Sequence, residues 1–167
     1  LCVALFVPGA VLAQEPEPKY RLSVEAPTKE LREMLNKGLQ LARWQDDPQM
    51  TPELLRRLAD EALVDARQAL AADGYFSALV SYSIDRDVTP WSVVIHVEPG
   101  TRTTVLGVEI TFSGPATDDP KAAKHLGQVR NEWLLRPGMP FTQEAWNEAK
   151  RDAVRKLSSW RYAGARI

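Results

Sequence analysis

Cysteine is almost missing from this sequence: there is one, at position 2 of 167. An intrachain disulfide and a cysteine-rich zinc site are therefore excluded. Histidine occurs only twice, as His96 and His125, and two distant imidazoles make no metal-ligand set. No apolar run reaches the roughly 20 residues of a bilayer-crossing helix. Neither sign of charge dominates. The net charge is -1 and the pI near 6.2, which rules out a broadly basic nucleic-acid binder. What is plentiful is a mixed-sign charged fraction of 26% beside 44% hydrophobic residues, the composition of a folded chain. The prolines and glycines are scattered as punctuation rather than gathered into linkers.

Residues 1–13, LCVALFVPGAVLA, are uncharged and are interrupted by Pro8-Gly9. Too short to span a bilayer and ending in small residues, they read as the remnant of a secretory signal peptide cut after Ala13. Residues 14–19 then form a polar linker.

From residue 20 the apolar spacing predicts an α+β unit. Tyr20, Leu22, Val24 and Ala26 alternate as in a half-buried strand. Thr28 can cap a helix in which Leu31, Leu35, Leu39 and Ala42 recur. Thr51-Pro52-Glu53 opens a second helix, with Leu55, Ala59, Ala62, Ala66 and Leu70 on one stripe and Asp73-Gly74 at its end. Two strands follow. Ala78, Val80, Tyr82 and Ile84 alternate in the first, and Trp91, Val93, Ile95 and Val97 in the second, so the pair should lie antiparallel. Residues 20–99 thus read strand-helix-helix-strand-strand, a small mixed three-stranded sheet with two helices on one face.

The order then begins again over 100–167. Val108, Ile110 and Phe112 alternate as in a strand, Asp119-Pro120 opens a helix through about Val129, and Thr142 opens another carrying Trp146, Ala149, Ala153 and Leu157. A shift of 87 lays Ala62 on Ala149, Ala66 on Ala153, Leu70 on Leu157, Tyr75 on Tyr162, Ala78 on Ala165 and Val80 on Ile167. The second unit is read as incomplete, its final hairpin missing. Trp133, Trp146 and Trp160 are expected mostly in its core.

Several stretches carry a family resemblance. YRLSVE opens the first unit, GYFSA occupies 74–78, VEPGTRTTV joins the units at 97–105, and LRPGMPF occupies 135–141. In this order, after an export signal, they resemble tandem POTRA domains of the Omp85 family of outer-membrane assembly factors, most like its TamA branch. The resemblance implies a periplasmic segment of an outer-membrane protein that takes part in outer-membrane protein and autotransporter assembly and translocation. It implies unfolded outer-membrane or autotransporter clients and an inner-membrane-anchored partner of the TamB kind. Membrane contact would come only through a C-terminal barrel absent from these residues. The alternative within the family is a POTRA module of a general barrel-assembly subunit or a two-partner secretion pore. An RNA-binding strand-helix-helix-strand module is disfavoured by the signal remnant, the acidic first unit and the lack of a GxxG loop, so no nucleic acid is expected.

No enzymatic constellation is apparent, and neither a cofactor nor a metal is expected. Ser77, Ser81 and Ser83 lie around a strand without a GxSxG turn or a plausible base, and His96 falls on a polar strand face. No glycine-rich phosphate loop is present. Charge does separate: residues 20–99 hold 9 basic and 13 acidic side chains, residues 100–167 hold 11 and 7. Arg151, Arg155 and Lys156 share a helical face and form a candidate basic contact surface. The other candidate is a sheet edge, where unpaired backbone groups accept an extended chain whatever its sequence. The strand Val80, Ser81, Tyr82, Ser83, Ile84 is the expected client-binding edge, with small outward residues and proline at Ser81 or Ser83 expected to block it.

Overall fold

The computed structural model describes residues 18–160 and 162–167. The expected signal remnant at 1–13 lies outside the described residues, as does most of the linker at 14–19.

The first unit forms as the residue spacing predicts. Strand β1 is Tyr20–Glu25 and helix α1 is Lys29–Gly38. Thr28 caps α1 by accepting from the Leu31 amide at 3.3 Å. The apolar stripe that suggested one helix through Ala42 is divided. Helix α1 ends at Gly38, Leu39 is extended, and a 3-10 turn occupies Gln40–Arg43. The turn brings Leu41 under the sheet, where its carbonyl accepts from the fully buried Tyr20 hydroxyl. Burial pushes that hydroxyl well above its usual pKa, with Asp46 adding to the effect.

Helix α2, Pro52–Ala72, starts on the Thr51 cap, whose hydroxyl accepts from Leu54 at 3.2 Å. Its small residues Ala59, Ala62 and Ala66 are buried, which lets the helix backbone approach its neighbours closely. Strands β2 (Leu79–Asp85) and β3 (Trp91–Glu98) complete the sheet, in the order β1-β3-β2. Strand β3 runs parallel to β1 and antiparallel to β2. Val24, Val80, Val93, Ile95 and Val97 line the helix-facing side with Leu31, Leu35, Leu55 and Leu70 from the helices. Each fully buried leucine contributes roughly 1.5–3 kcal/mol of transfer free energy.

The second unit departs from expectation in two places. Residues 105–113 do not form a strand; the only ladder contact nearby is a bridge between Thr104 and Pro140. A strand needs a partner for its backbone groups. In the first unit β1 draws its ladder from β3, about 70 residues later, and no counterpart of β3 lies within the described residues. The helix expected from Asp119 also begins later. A single turn, α3, occupies Pro115–Asp118, and α4 spans Ala123–Asn131. The Asp119 carboxylate accepts from the Lys121 amide at 2.9 Å, which closes a local turn instead of starting the helix. Helix α5, Gln143–Trp160, starts where Thr142 accepts from Ala145 at 3.0 Å. Leu126, Val129, Trp133, Leu135, Ala149 and Leu157 form a separate core between α4 and α5.

The two units meet at a built junction. Residues 103–105 pair with 138–141 as a short ribbon, with Val105 donating to Met139 and Phe141 to Thr103, both at 2.9 Å. Thr103 donates to the Gly74 carbonyl, also at 2.9 Å, and Arg102 pairs with Asp73 at 2.6 Å. The Arg102 guanidinium lies 5.6 Å from the Tyr75 ring centre, and the Phe76 and Phe141 rings are 5.7 Å apart.

Candidate functional site

The sheet has two edges, and they differ. Which backbone groups point outward follows from one hydrogen bond: the Trp91 amide donates to the Lys19 carbonyl on the β1 side, at 3.1 Å. Successive residues of a strand direct their backbone groups to opposite sides. Trp91, Val93, Ile95 and Val97 therefore face β1, and Ser92, Val94, His96 and Glu98 face β2. Their partners in the register are Asp85, Ser83, Ser81 and Leu79, which turn inward. Val80, Tyr82 and Ile84 are left with backbone groups directed away from the sheet.

On the other side, the same alternation turns Leu22 and Val24 outward from β1. There the edge is covered at Leu22. The Leu22 amide donates to Gln45 Oε1 at 2.9 Å, Gln45 is itself held by donating to the Ala42 carbonyl at 2.9 Å, and the Lys19 amide donates to the Gln45 carbonyl at 2.7 Å. The segment after the 3-10 turn thus covers β1. Along β2 one contact of this kind occurs: Arg67 Nη2, reaching from α2, donates to the Val80 carbonyl at 3.1 Å. The side chains of Val80, Tyr82 and Ile84 point to the core side, and the Tyr82 hydroxyl donates to Asp60 at 2.9 Å. Ser81 and Ser83 are exposed on the open face. Proline at Ser81 or Ser83 would therefore remove an inward donor and damage the β2–β3 ladder, not only the outer rim.

Structure also brings together a trio that the sequence did not suggest. Across the open face, Ser83 Oγ lies 3.1 Å from His96 Nε2, and His96 Nδ1 lies 2.8 Å from Glu25 Oε2. The three residues belong to β2, β3 and β1, and the register signals the contact, because His96 stands directly opposite both Glu25 and Ser81. The chemistry of a nucleophile-base pair needs more than this row. The neighbouring strand amides lie in the sheet plane, where they cannot converge on an oxyanion above the serine, and the side chains of His96 and Glu25 are 42% and 67% exposed. The row ties three strands together at a wet surface.

The candidate basic face is largely paired. Arg155 contacts Asp152 at 2.6 Å and Arg151 contacts Glu148 at 3.7 Å. Lys156 sits between Asp152, at 3.0 Å, and Glu132 at the end of α4, at 2.9 Å. Hydrogen bonding to Lys156 first, and to Arg155 next, holds the Asp152 carboxyl below its usual range, against the opposing effect of burial. Glu132 and then Asp152 raise the Lys156 ammonium above its own. Lys156 is thus a clamp between α4 and α5, whereas Arg151 and Arg155 keep exposed guanidinium groups.

Comparison with known proteins places the first unit. Residues 21–99 match the family model described as POTRA domain, TamA domain 1. This stretch is a TamA-like POTRA domain. Its mixed sheet with helices on one face is the fold that assignment requires. Among solved structures, a crystal structure of POTRA domains 3–5 of Haemophilus influenzae BamA is similar at 18% identity and a TM-score of 0.40. The alignment covers 86% of this chain and 49% of that one, so the chain spans about half its length. No curated protein matches the sequence. Among the described residues, no helix of the POTRA domain or of the second unit is long and apolar enough to cross a membrane.

Proposed function

We propose that this chain is the periplasmic interaction region of an outer-membrane protein assembly and translocation factor. In this reading it binds extended segments of unfolded outer-membrane or autotransporter clients by adding them to the β2 edge of the POTRA domain. The observation that carries the reading is the asymmetry of the two edges. Gln45 covers β1 at Leu22, whereas Tyr82 and Ile84 keep outward backbone groups beside small exposed side chains. An incoming strand would pair with backbone, so affinity would depend little on client sequence, as a factor with many clients needs. Residues 100–167 are read as a second POTRA-like unit held to the first by the Arg102 junction. Arg151 and Arg155 are its proposed secondary contact, and an inner-membrane-anchored TamB-like protein the proposed partner of the full-length molecule in the outer membrane.

Site-specific photocrosslinking tests the edge. A photoreactive side chain at Ser81 should capture an extended barrel-strand peptide, whereas the same group at Gly38, on the helix layer, should not. Capture from Gly38 as efficient as from Ser81 would contradict it.

A further inference from the structure

Arg67 reaches the β2 rim from α2, where its Nη2 donates to the Val80 carbonyl at 3.1 Å. The side chain is exposed, and of its five N–H donors this one is used. The residues one turn away on its helix are Leu63, Val64, Leu70 and Ala71, so no acid stands at the spacings where helical ion pairs form. Among the described residues Arg67 enters no ion pair, whereas Arg102, Arg151 and Arg155 each contact a carboxylate. The acid next along its face of α2 is Asp60, about 10 Å of helix away, and it accepts from the Tyr82 hydroxyl. The open edge thus carries a cation without an anion at its Val80 end.

The direction of an added strand decides what meets that cation. A strand antiparallel to β2 runs from beside Ile84 to beside Val80, so its C-terminal end arrives at Arg67. There Arg67 already holds the Val80 carbonyl, and the outward Val80 amide is left to the incoming chain. Residues directly opposite Val80, Tyr82 and Ile84 share their side of the sheet, the side on which α2 lies. An acidic side chain opposite Val80 is therefore turned toward the guanidinium. A terminal carboxylate at the same place accepts from the Val80 amide beside it. A parallel strand would instead bring its terminal ammonium to a like charge.

We propose that Arg67 is a carboxylate site that sets the register of the β2 edge: the preferred ligand is an extended segment running antiparallel to β2 with a carboxylate opposite Val80. This rests on reading the β2 edge as the client site. Backbone pairing alone specifies register weakly, because each slip by two residues presents the same groups. A fixed charge at one end removes that freedom and leaves the rest of the ligand's sequence unread. The carboxylate comes from a chain end or from an aspartate or glutamate side chain, and Arg67 meets both through the same pair of oxygens.

Three peptides of alternating valine and threonine, added to the full chain, test this. One has a free C-terminal carboxylate, one is its amidated twin, and one is amidated with glutamate as its last residue. Titrations followed at the Val80, Tyr82 and Ile84 amides should show a carboxylate peptide binding about threefold or more tighter than the neutral twin. A gain for the free terminus alone or for glutamate alone supports the site and identifies the source of the carboxylate. Arg67→Gln, at an exposed position, should keep the circular dichroism spectrum and the binding of the neutral peptide but lose the preference. Arg67→Lys should keep part of it. A spin label on the N-terminus of the peptide should broaden Ile84 and Asp85 more than Val80. Equal affinity for all three peptides, a preference that survives Arg67→Gln, or broadening centred on Val80 overturns the inference and leaves the edge reading standing. No response at Tyr82 and Ile84 to any of the peptides overturns the edge reading and this inference with it.

Discussion

Gly74 backs directly onto the carbonyl of Phe141: a Cβ built at Gly74 would fall inside the contact distance of that oxygen. The residue also has φ of 92°, in the left-handed region that ends α2. Two independent requirements, a helix terminus and the approach of the second unit's ribbon, therefore meet at one residue. Gly74→Ala should destabilise the chain by about 2 kcal/mol or more, from strain at positive φ and displacement of the ribbon. Gly38→Ala, with open space around it, should be neutral or stabilise by up to about 1 kcal/mol. Thermal melts of the two variants check the contrast.

Arg102 and Asp73 form the polar half of the same junction. Nη2 contacts the carboxylate at 2.6 Å and Nε donates to the Asp73 carbonyl at 2.9 Å. Both side chains are about one-third exposed, so solvent screens the pair. A double-mutant cycle with Arg102→Ala and Asp73→Ala should return a coupling of about 1 kcal/mol or less. Small-angle scattering should show a wider range of inter-unit orientations for Arg102→Ala. An unchanged scattering profile would show that the ribbon and the aromatic pair suffice.

The Asp152–Lys156–Glu132 cluster predicts how the second unit responds to pH. The Asp152 pKa is lowered by folding, so its contribution is present above the unfolded value, near 3.9, and is lost as pH falls through the folded value. The Lys156 pKa is raised, so its contribution is present below about 10.4 and is lost as pH rises through the folded value. Stability from this cluster should be level across neutral pH and fall at both extremes. Asp152→Ala should cost about 1.5 kcal/mol at pH 7 and flatten the acid limb of a denaturation series.

Proline separates the two faces of the β2 backbone. Ile84 directs its N–H outward, where proline is tolerated at a sheet edge, whereas Ser83 directs its N–H to β3. Ile84→Pro should keep the sheet, at a cost in side-chain packing, and weaken peptide binding several-fold. Ser83→Pro should break the ladder and lower the melting midpoint by far more. Circular dichroism with a binding titration distinguishes them.

How much of this was legible beforehand depended on the range of the interaction. The caps at Thr28, Thr51 and Thr142 are local hydrogen bonds, and their hydroxyls sit beside the helices that they start. The alternation of Val80, Tyr82 and Ile84 gave the buried face of β2 for the same reason. The direction of backbone groups is a different matter, because it is set by which β3 residues turn toward β1. Proline at Ser81 or Ser83 was accordingly the wrong way to block the outer rim. The contact by which Gln45 covers the Leu22 amide spans 23 positions and leaves no periodic trace. Residues 105–113 alternate as a strand should, yet alternation specifies only which face is apolar. Past Val105, which pairs with Met139 and Gly138, they meet no neighbouring strand among the described residues and form none.

The account's central claim is that the outward amides of β2 receive a client strand. Hydrogen exchange at single-residue resolution, with and without a saturating extended barrel-strand peptide, measures it directly. The Tyr82 and Ile84 amides should slow by at least tenfold while Leu22, already bonded to Gln45, stays unchanged. Bound peptide with unaltered exchange at Tyr82 and Ile84 would contradict the claim.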